Sequence, residues 1–165
     1  KSSIINRKSQ FGFTLIELLI SLAIAMILTV VGIVNFFDLR SSNELKLAGD
    51  EMVSLLRTTQ TRAISQEGGE SWGVYFDNTT SSEASISVFT GTTFSAGAVV
   101  SRKKLDTDLQ FLEPVAGATV TIAFNELGGL LAATTSRAVM VVLKEDPSAS
   151  TTITAFPNGR VEKTP

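Results

Sequence analysis

The chain has 165 residues, with 14 Lys and Arg against 16 Asp and Glu for a net charge of −2, and it contains neither Cys nor His. That removes thiol and imidazole nucleophiles, Ser-His-Asp chemistry, Cys/His zinc sites and disulfide frameworks, and the near-neutral balance gives no global basic field for nucleic acid. Mean hydropathy is +0.26, and much of the apolar excess sits in one place, because Glu17 is the only charged residue between Phe13 and Phe37.

Residues 1–12 form a short polar leader carrying Lys1, Arg7 and Lys8. An uncharged run follows from Leu18 to Val34, about 25 Å long as a helix, and the whole segment 13–37 would reach about 37 Å. That is close to bilayer thickness and too long for a secretory h-region. The residues after it, Asn35-Phe36-Phe37-Asp38, make a poor small-x-small cleavage site. A retained single-pass anchor is expected, with the basic leader in the cytoplasm and the bulk of the chain outside. Glu17 stands at the edge of this run. A carboxylate at the centre of a spanning helix costs on the order of 3 kcal/mol, so it calls for a partner.

Beyond Phe37 the helical signal continues. Leu45, Ala48, Met52, Leu55, Leu56, Thr59 and Ala63 recur at three- and four-residue spacing, with charged residues between them, and Gly68-Gly69 supplies a stop. The first half is apolar all round and the second half amphipathic, which suggests two surroundings: lipid over 13–37, then the face of a globular head over 38–67. Gly32 and the polar stretch 38–44 are candidate weak points. After Gly69 the period becomes two. Trp72, Val74 and Phe76 share one side, and strands are predicted near 85–89, 99–105, 109–112, 119–124, 138–143 and 151–156, with turns at 128–129 and 157–159. No helix separates these strands. The fold class is therefore α+β: a long N-terminal helix packed on an antiparallel sheet in a head spanning 68–165.

Gly12-Phe13-Thr14-Leu15-Ile16-Glu17-Leu18-Leu19 resembles the N-terminal signature of type IV pilins and type II secretion pseudopilins. Ser71 to Asp77, Phe124 to Gly129 and Gly159-Arg160-Val161 look like the minor pseudopilin H family and related minor pilins. The resemblance implies cleavage between Gly12 and Phe13 by a membrane prepilin peptidase, N-methylation of Phe13, and a role for Glu17 in assembly with other pilin or pseudopilin subunits on an inner-membrane platform. It implies a non-catalytic minor pseudopilin that initiates or caps the periplasmic pseudopilus of a type II secretion system. The alternative is a minor pilin of a type IV pilus, in adhesion, twitching or DNA uptake. The head would then be periplasmic. No cofactor and no metal are expected.

Other residues carry plainer readings. Trp72 reads as core, and Asp50 and Glu51 as solvated helix charges. Asp77, Asn78 and Glu83 match the spacing of no dedicated calcium loop. Arg102-Lys103-Lys104 is the only basic run and reads first as a solvated strand edge that resists aggregation. With Arg160 and Lys163 it is also the candidate for weak, salt-sensitive nucleic-acid contacts. DNA-uptake relatives carry Gly-Arg-x-Arg near the C-terminus. Here Gly159-Arg160-Val161-Glu162 places an acid at the second Arg position, which argues against nucleic acid as a partner.

Overall fold

A computed structural model describes residues 12–80 and 84–165, with the backbone alone over 30–42. The chain divides into two units, Lys1–Arg40 and Ser41–Pro165. Helix α1 (Leu15–Ile64) belongs to both, and its backbone is helical through 38–44, where the polar residues suggested a break.

In the first unit the helix starts at a side-chain cap. The Glu17 backbone N–H donates to Thr14 Oγ1 at 3.3 Å, satisfying one of the donors that every helix start leaves unpaired. Thr-x-x-Glu is the capping-box spacing, and an acid in the first turn suits the positive end of the helix dipole. From Phe13 to Thr29 every side chain is exposed within this chain. A helix apolar on all sides offers water no favourable face. Thr29 returns its hydroxyl to the Ala25 carbonyl at 2.7 Å, so it adds no unsatisfied donor to that surface. Among the described residues no helix is long and apolar enough to cross a membrane; the expected span 13–37 runs into 30–42, whose side chains lie outside the description.

In the second unit the rest of α1 has a buried stripe of Leu45, Met52, Val53, Leu56, Thr59 and Ala63. Thr59 sits in that stripe because its hydroxyl donates to the Leu55 carbonyl at 2.8 Å. The helix stops at Ile64, a turn before the glycine pair, since Gln66 takes a left-handed φ of 53°. Among the described residues eight strands follow: β1 (Trp72–Asp77), β2 (Ser85–Thr90), β3 (Val99–Lys104), β4 (Leu109–Glu113), β5 (Thr119–Phe124), β6 (Arg137–Leu143), β7 (Ser150–Ala155) and β8 (Val161–Thr164). They form two four-stranded sheets, ordered β3-β2-β1-β5 and β4-β6-β7-β8, with every pairing antiparallel. The sequence predicts one antiparallel sheet, and the structure has two. β4 leaves the first sheet and β5 returns to it beside β1.

One core joins the two sheets and the helix. Trp72, Val74 and Phe76 of β1, Ile122 and Phe124 of β5, Val139 and Val141 of β6 and Ile153 of β7 are buried together with the helix stripe. Phe76 meets Phe111 edge-on, with centroids 6.0 Å apart. Buried Asn78 donates to the carbonyls of Phe111 (3.3 Å) and Pro114 (2.7 Å), tying the end of β1 to β4. Trp72 is core, as its strand position indicated, and its indole N–H donates to the Glu67 carbonyl at 2.9 Å.

Two features set how closely the helix approaches the sheets. Gly49 faces β7 and β8, where a Cβ would lie 2.7 Å from Thr151 Cγ2 and 3.1 Å from Lys163 Cδ. Glycine costs about 1 kcal/mol in a helix interior, and here it lets the helix backbone close on the Thr151 and Lys163 side chains. One turn from the helix end, the Gln60 amide Nε2 donates to both the Gly129 carbonyl (2.7 Å) and the Gly159 carbonyl (2.8 Å). Gly159 has φ +81°, and a Cβ there would overlap Gly129 O. Gln60 thereby clamps the turn after β5 to the turn before β8.

Gln60→Ala leaves two part-buried carbonyls without their donor and is expected to cost about 1–3 kcal/mol. Gly49→Leu overpacks the helix–sheet contact and is expected to cost about 1–3 kcal/mol. Denaturant titration followed through Trp72, the single tryptophan, reads both as lowered midpoints.

Candidate processing and assembly site

The sequence marks Gly12, Phe13 and Glu17, and the structure places them within two turns of one another. Gly12, Phe13 and Thr14 have no regular secondary structure, and all three are exposed. Phe13 is 80% accessible. The Gly12–Phe13 peptide bond therefore lies in accessible non-helical backbone, with the cap at Thr14 directly after it. A Cβ at Gly12 would meet nothing within 4 Å, so the backbone there is open to an incoming group. Glu17 is exposed, one turn into the helix among Leu15, Ile16, Leu18 and Leu19. Residues 1–11, which hold Lys1, Arg7 and Lys8, lie outside the described residues. Thr14 is the residue that the sequence reading missed. Its signal was the three-residue spacing to Glu17.

The cation candidates divide between the sheets. Arg102, Lys103 and Lys104 lie on β3, an edge strand. Arg102 Nε donates to Ser87 Oγ at 3.0 Å, and its guanidinium is 4.0 Å from Asp77. Lys103 pairs with Glu51 of α1, with Nζ 2.6 Å from Oε1. Arg160 belongs to the turn before β8, 4.5 Å over the Phe156 ring and 3.0 Å from Glu162. The acid at the second Arg position thus pairs with the first Arg. Lys163 pairs with Asp50. Asp50 and Glu51 are solvated helix charges, as expected, and each also pairs with a lysine from a different sheet. Asp77 accepts from the Thr79 hydroxyl at 2.6 Å and from the Thr79 N–H at 3.0 Å, while Glu83 lies outside the described residues. Among the described residues no acidic group is arranged to hold a metal ion.

Three carboxylates sit below the ordinary value of 3.8: Asp50 through the Lys163 hydrogen bond, Asp77 through Thr79, and Asp146 through Ser148, with desolvation opposing each.

The exposed Gly-Phe step opens a capped apolar helix that continues in sequence into a β-rich head. Residues 7–33 match the family model of the prokaryotic N-terminal methylation motif. The fold matches that of the type IV minor pilin FimU of Pseudomonas aeruginosa in two crystal forms. One has 17% identity and a TM-score of 0.55 over 73% of this chain and 93% of that one. The other has 18% identity and a TM-score of 0.55 over 74% and 90%. The minor pseudopilin EpsH of the Vibrio cholerae type II secretion system aligns at 19% identity and a TM-score of 0.49, over 73% and 96%. No curated protein matches the sequence. The N-terminal segment thus carries the methylation motif, and the fold is similar to that of FimU.

A carboxylate whose folded value is depressed binds its proton more readily in the unfolded chain, so stability rises with pH through its titration. The contribution of Asp50, Asp77 and Asp146 is complete above 3.8 and is lost as pH falls through their lower folded values. Denaturant midpoints are expected to drop below that pH. Lys163→Gln, which removes the hydrogen bond to Asp50, is expected to make the drop shallower.

Proposed function

We propose that this chain is a non-catalytic filament subunit of the pilin class, acting as a minor subunit that initiates or caps the fibre. The supporting observation is the exposed Gly12–Phe13 bond set one residue before a capped helix that is apolar on every described side and carries one acid, Glu17. Cleavage at that bond by a membrane prepilin peptidase leaves an α-amino cation on Phe13, and N-methylation keeps the charge. In lipid or in a fibre core either charge alone is costly, and the pair much less so. A neighbouring subunit's Glu17 then fixes the axial register. In this reading residues 1–12 are the removed leader and 13–37 the anchor that becomes filament core. The amphipathic half, 38–67, and the head, 68–165, lie in the periplasm of a single-pass inner-membrane protein with a cytoplasmic N-terminus.

Two systems accommodate such a subunit. Its motifs at Ser71–Asp77, Phe124–Gly129 and Gly159–Val161 favour a type II secretion pseudopilus, and the likeness of fold to a minor pilin favours a type IV pilus. Nucleic acid is the weaker partner reading, since Arg102, Lys103 and Arg160 each lie against a carboxylate.

N-terminal mass analysis of membrane-extracted protein is expected to find a methylated Phe13 terminus; an intact leader in cells holding the peptidase contradicts the proposal. A deletion strain separates the systems: loss of secretion with pili retained marks a pseudopilin, and the converse marks a pilin.

A further inference from the structure

Asn158-Gly159 is the single Asn-Gly step in the chain, and neither processing nor filament assembly uses it. An asparagine followed by glycine carries its own reaction. The glycine amide nitrogen attacks the asparagine Cγ, and no Cβ hinders its approach. The turn before β8 holds both reactants and gives each a partner. Asn158 is exposed, and its Oδ1 accepts from the Arg160 backbone N–H at 3.0 Å. That donor already lies on the oxygen that would carry the negative charge of an attack. The nucleophile, by contrast, is withheld. The Gly159 N–H donates to the Phe156 carbonyl at 2.8 Å, and the Phe156 N–H donates to the Arg160 carbonyl at 2.8 Å. The Gly159 carbonyl accepts from Gln60 Nε2 at 2.8 Å. Gly159 is buried at φ +81°, with Gly129 O and Gln60 Nε2 crowding the position a Cβ would take. The Asn158 side chain thus reaches water, while the Gly159 backbone is fixed at both its N–H and its C=O.

We propose that Asn158 is a self-modification site guarded by Gln60, and that the turn deamidates from the state in which the Gln60 clamp is open. Water is the only co-reactant. The bond from Gly159 N to Cγ forms and the Cγ–Nδ2 bond breaks. The Gly159 amide proton passes through solvent to the departing nitrogen, which leaves as ammonia. Water then opens the five-membered imide. Hydrolysis at Cγ gives aspartate. Hydrolysis at the backbone carbonyl leaves the chain running through Cβ and Cγ as isoaspartate, with a free carboxylate. No group is oxidised or reduced. Either product adds a negative charge next to Arg160, and isoaspartate puts one more carbon into the main chain between the two residues, displacing the Gly159 carbonyl from Gln60. The change is one-way, so the head keeps a record of having opened. The inference rests on the head alone and stands whether or not the filament role holds.

The test incubates the full chain in detergent micelles at mildly alkaline pH, digests it, and weighs the peptide that holds Asn158. Isoaspartate is counted with an isoaspartyl methyltransferase and a labelled methyl donor. The denatured chain is expected to convert at least about tenfold faster than the folded one, since conversion of the folded chain waits on local opening. Gln60→Ala is expected to speed conversion of the folded chain by about tenfold, the factor that one lost donor gives to that opening. Gln60→Met keeps the side-chain volume without the donor and is expected to do the same. Denaturation midpoints through Trp72 verify both folds. Gly49→Leu, about three helical turns from Gln60, lowers stability without touching the clamp and is expected to leave the rate near that of the unaltered protein. Equal rates in the folded and denatured chain, no acceleration in either Gln60 variant, the same acceleration in Gly49→Leu, or conversion confined to other asparagines would each overturn the inference.

Discussion

A carboxylate among aliphatic side chains is stable only in water or beside a cation, and Glu17 imposes that choice on everything N-terminal to the head. Within one chain the first turn is exposed, and the acid serves the helix locally: it occupies the third helical position, next to the Thr14 cap and at the positive end of the dipole. That local role needs only water. The leucines and isoleucines on every other side need its absence. The two demands would be reconciled by a cation delivered to the acid in an apolar setting, and the proposed cleavage four residues upstream would produce one. The same cap that starts the helix leaves Gly12–Phe13 in accessible non-helical backbone, so the geometry that would suit that processing would also position the charge that the proposed assembly uses.

The second unit solves a different problem, which is to hold an amphipathic helix against two sheets at once. Adjacent helix residues reach in different directions, Asp50 to Lys163 on β8 and Glu51 to Lys103 on β3. Exposed pairs such as these contribute little stability individually. They fix the rotation of the helix about its axis, while the buried stripe from Leu45 to Ala63 provides the burial energy. Gly49 sets the closeness of approach, and Gln60 locks the far end by holding two turns with one amide. Those turns belong to Phe124–Gly129 and Gly159–Val161, so one side chain of the helix ties together segments about 30 residues apart in sequence.

Much of this architecture was legible in residue order. Period two places β1, β2, β4, β5 and β7 to within a residue or so of their observed bounds, because each has one face in a common core and alternation follows burial, and a continuous apolar run places β6. The helix was legible through its three- and four-residue spacing, and its end, read near Gln66, falls at Ile64 because Gln66, a non-glycine, takes the left-handed conformation that the glycines were expected to supply. Sheet order was not legible. Nothing in β4 or β5 states that the first pairs with β6 and the second with β1, since that partition is decided by packing between distant segments. Gln60 and Gly49 were hidden for the same reason: a polar residue and a glycine on a helix look like surface and defect until their partners, 69 and 99 residues away for Gln60, are in place. The basic run was legible as an edge strand, while the carboxylates that meet its members come from other elements, so its charge looked freer than it is.

The account turns on whether one subunit's Glu17 meets another's N-terminus. Solid-state NMR on assembled fibres addresses this directly, mixing subunits labelled with ¹⁵N at the Phe13 amine with subunits labelled with ¹³C at the Glu17 carboxyl. The account predicts a dipolar contact between differently labelled subunits at a separation of about 4 Å, the range of an ion pair. Fibres in which that contact is absent, with Glu17 hydrated or paired inside its own chain, would contradict it.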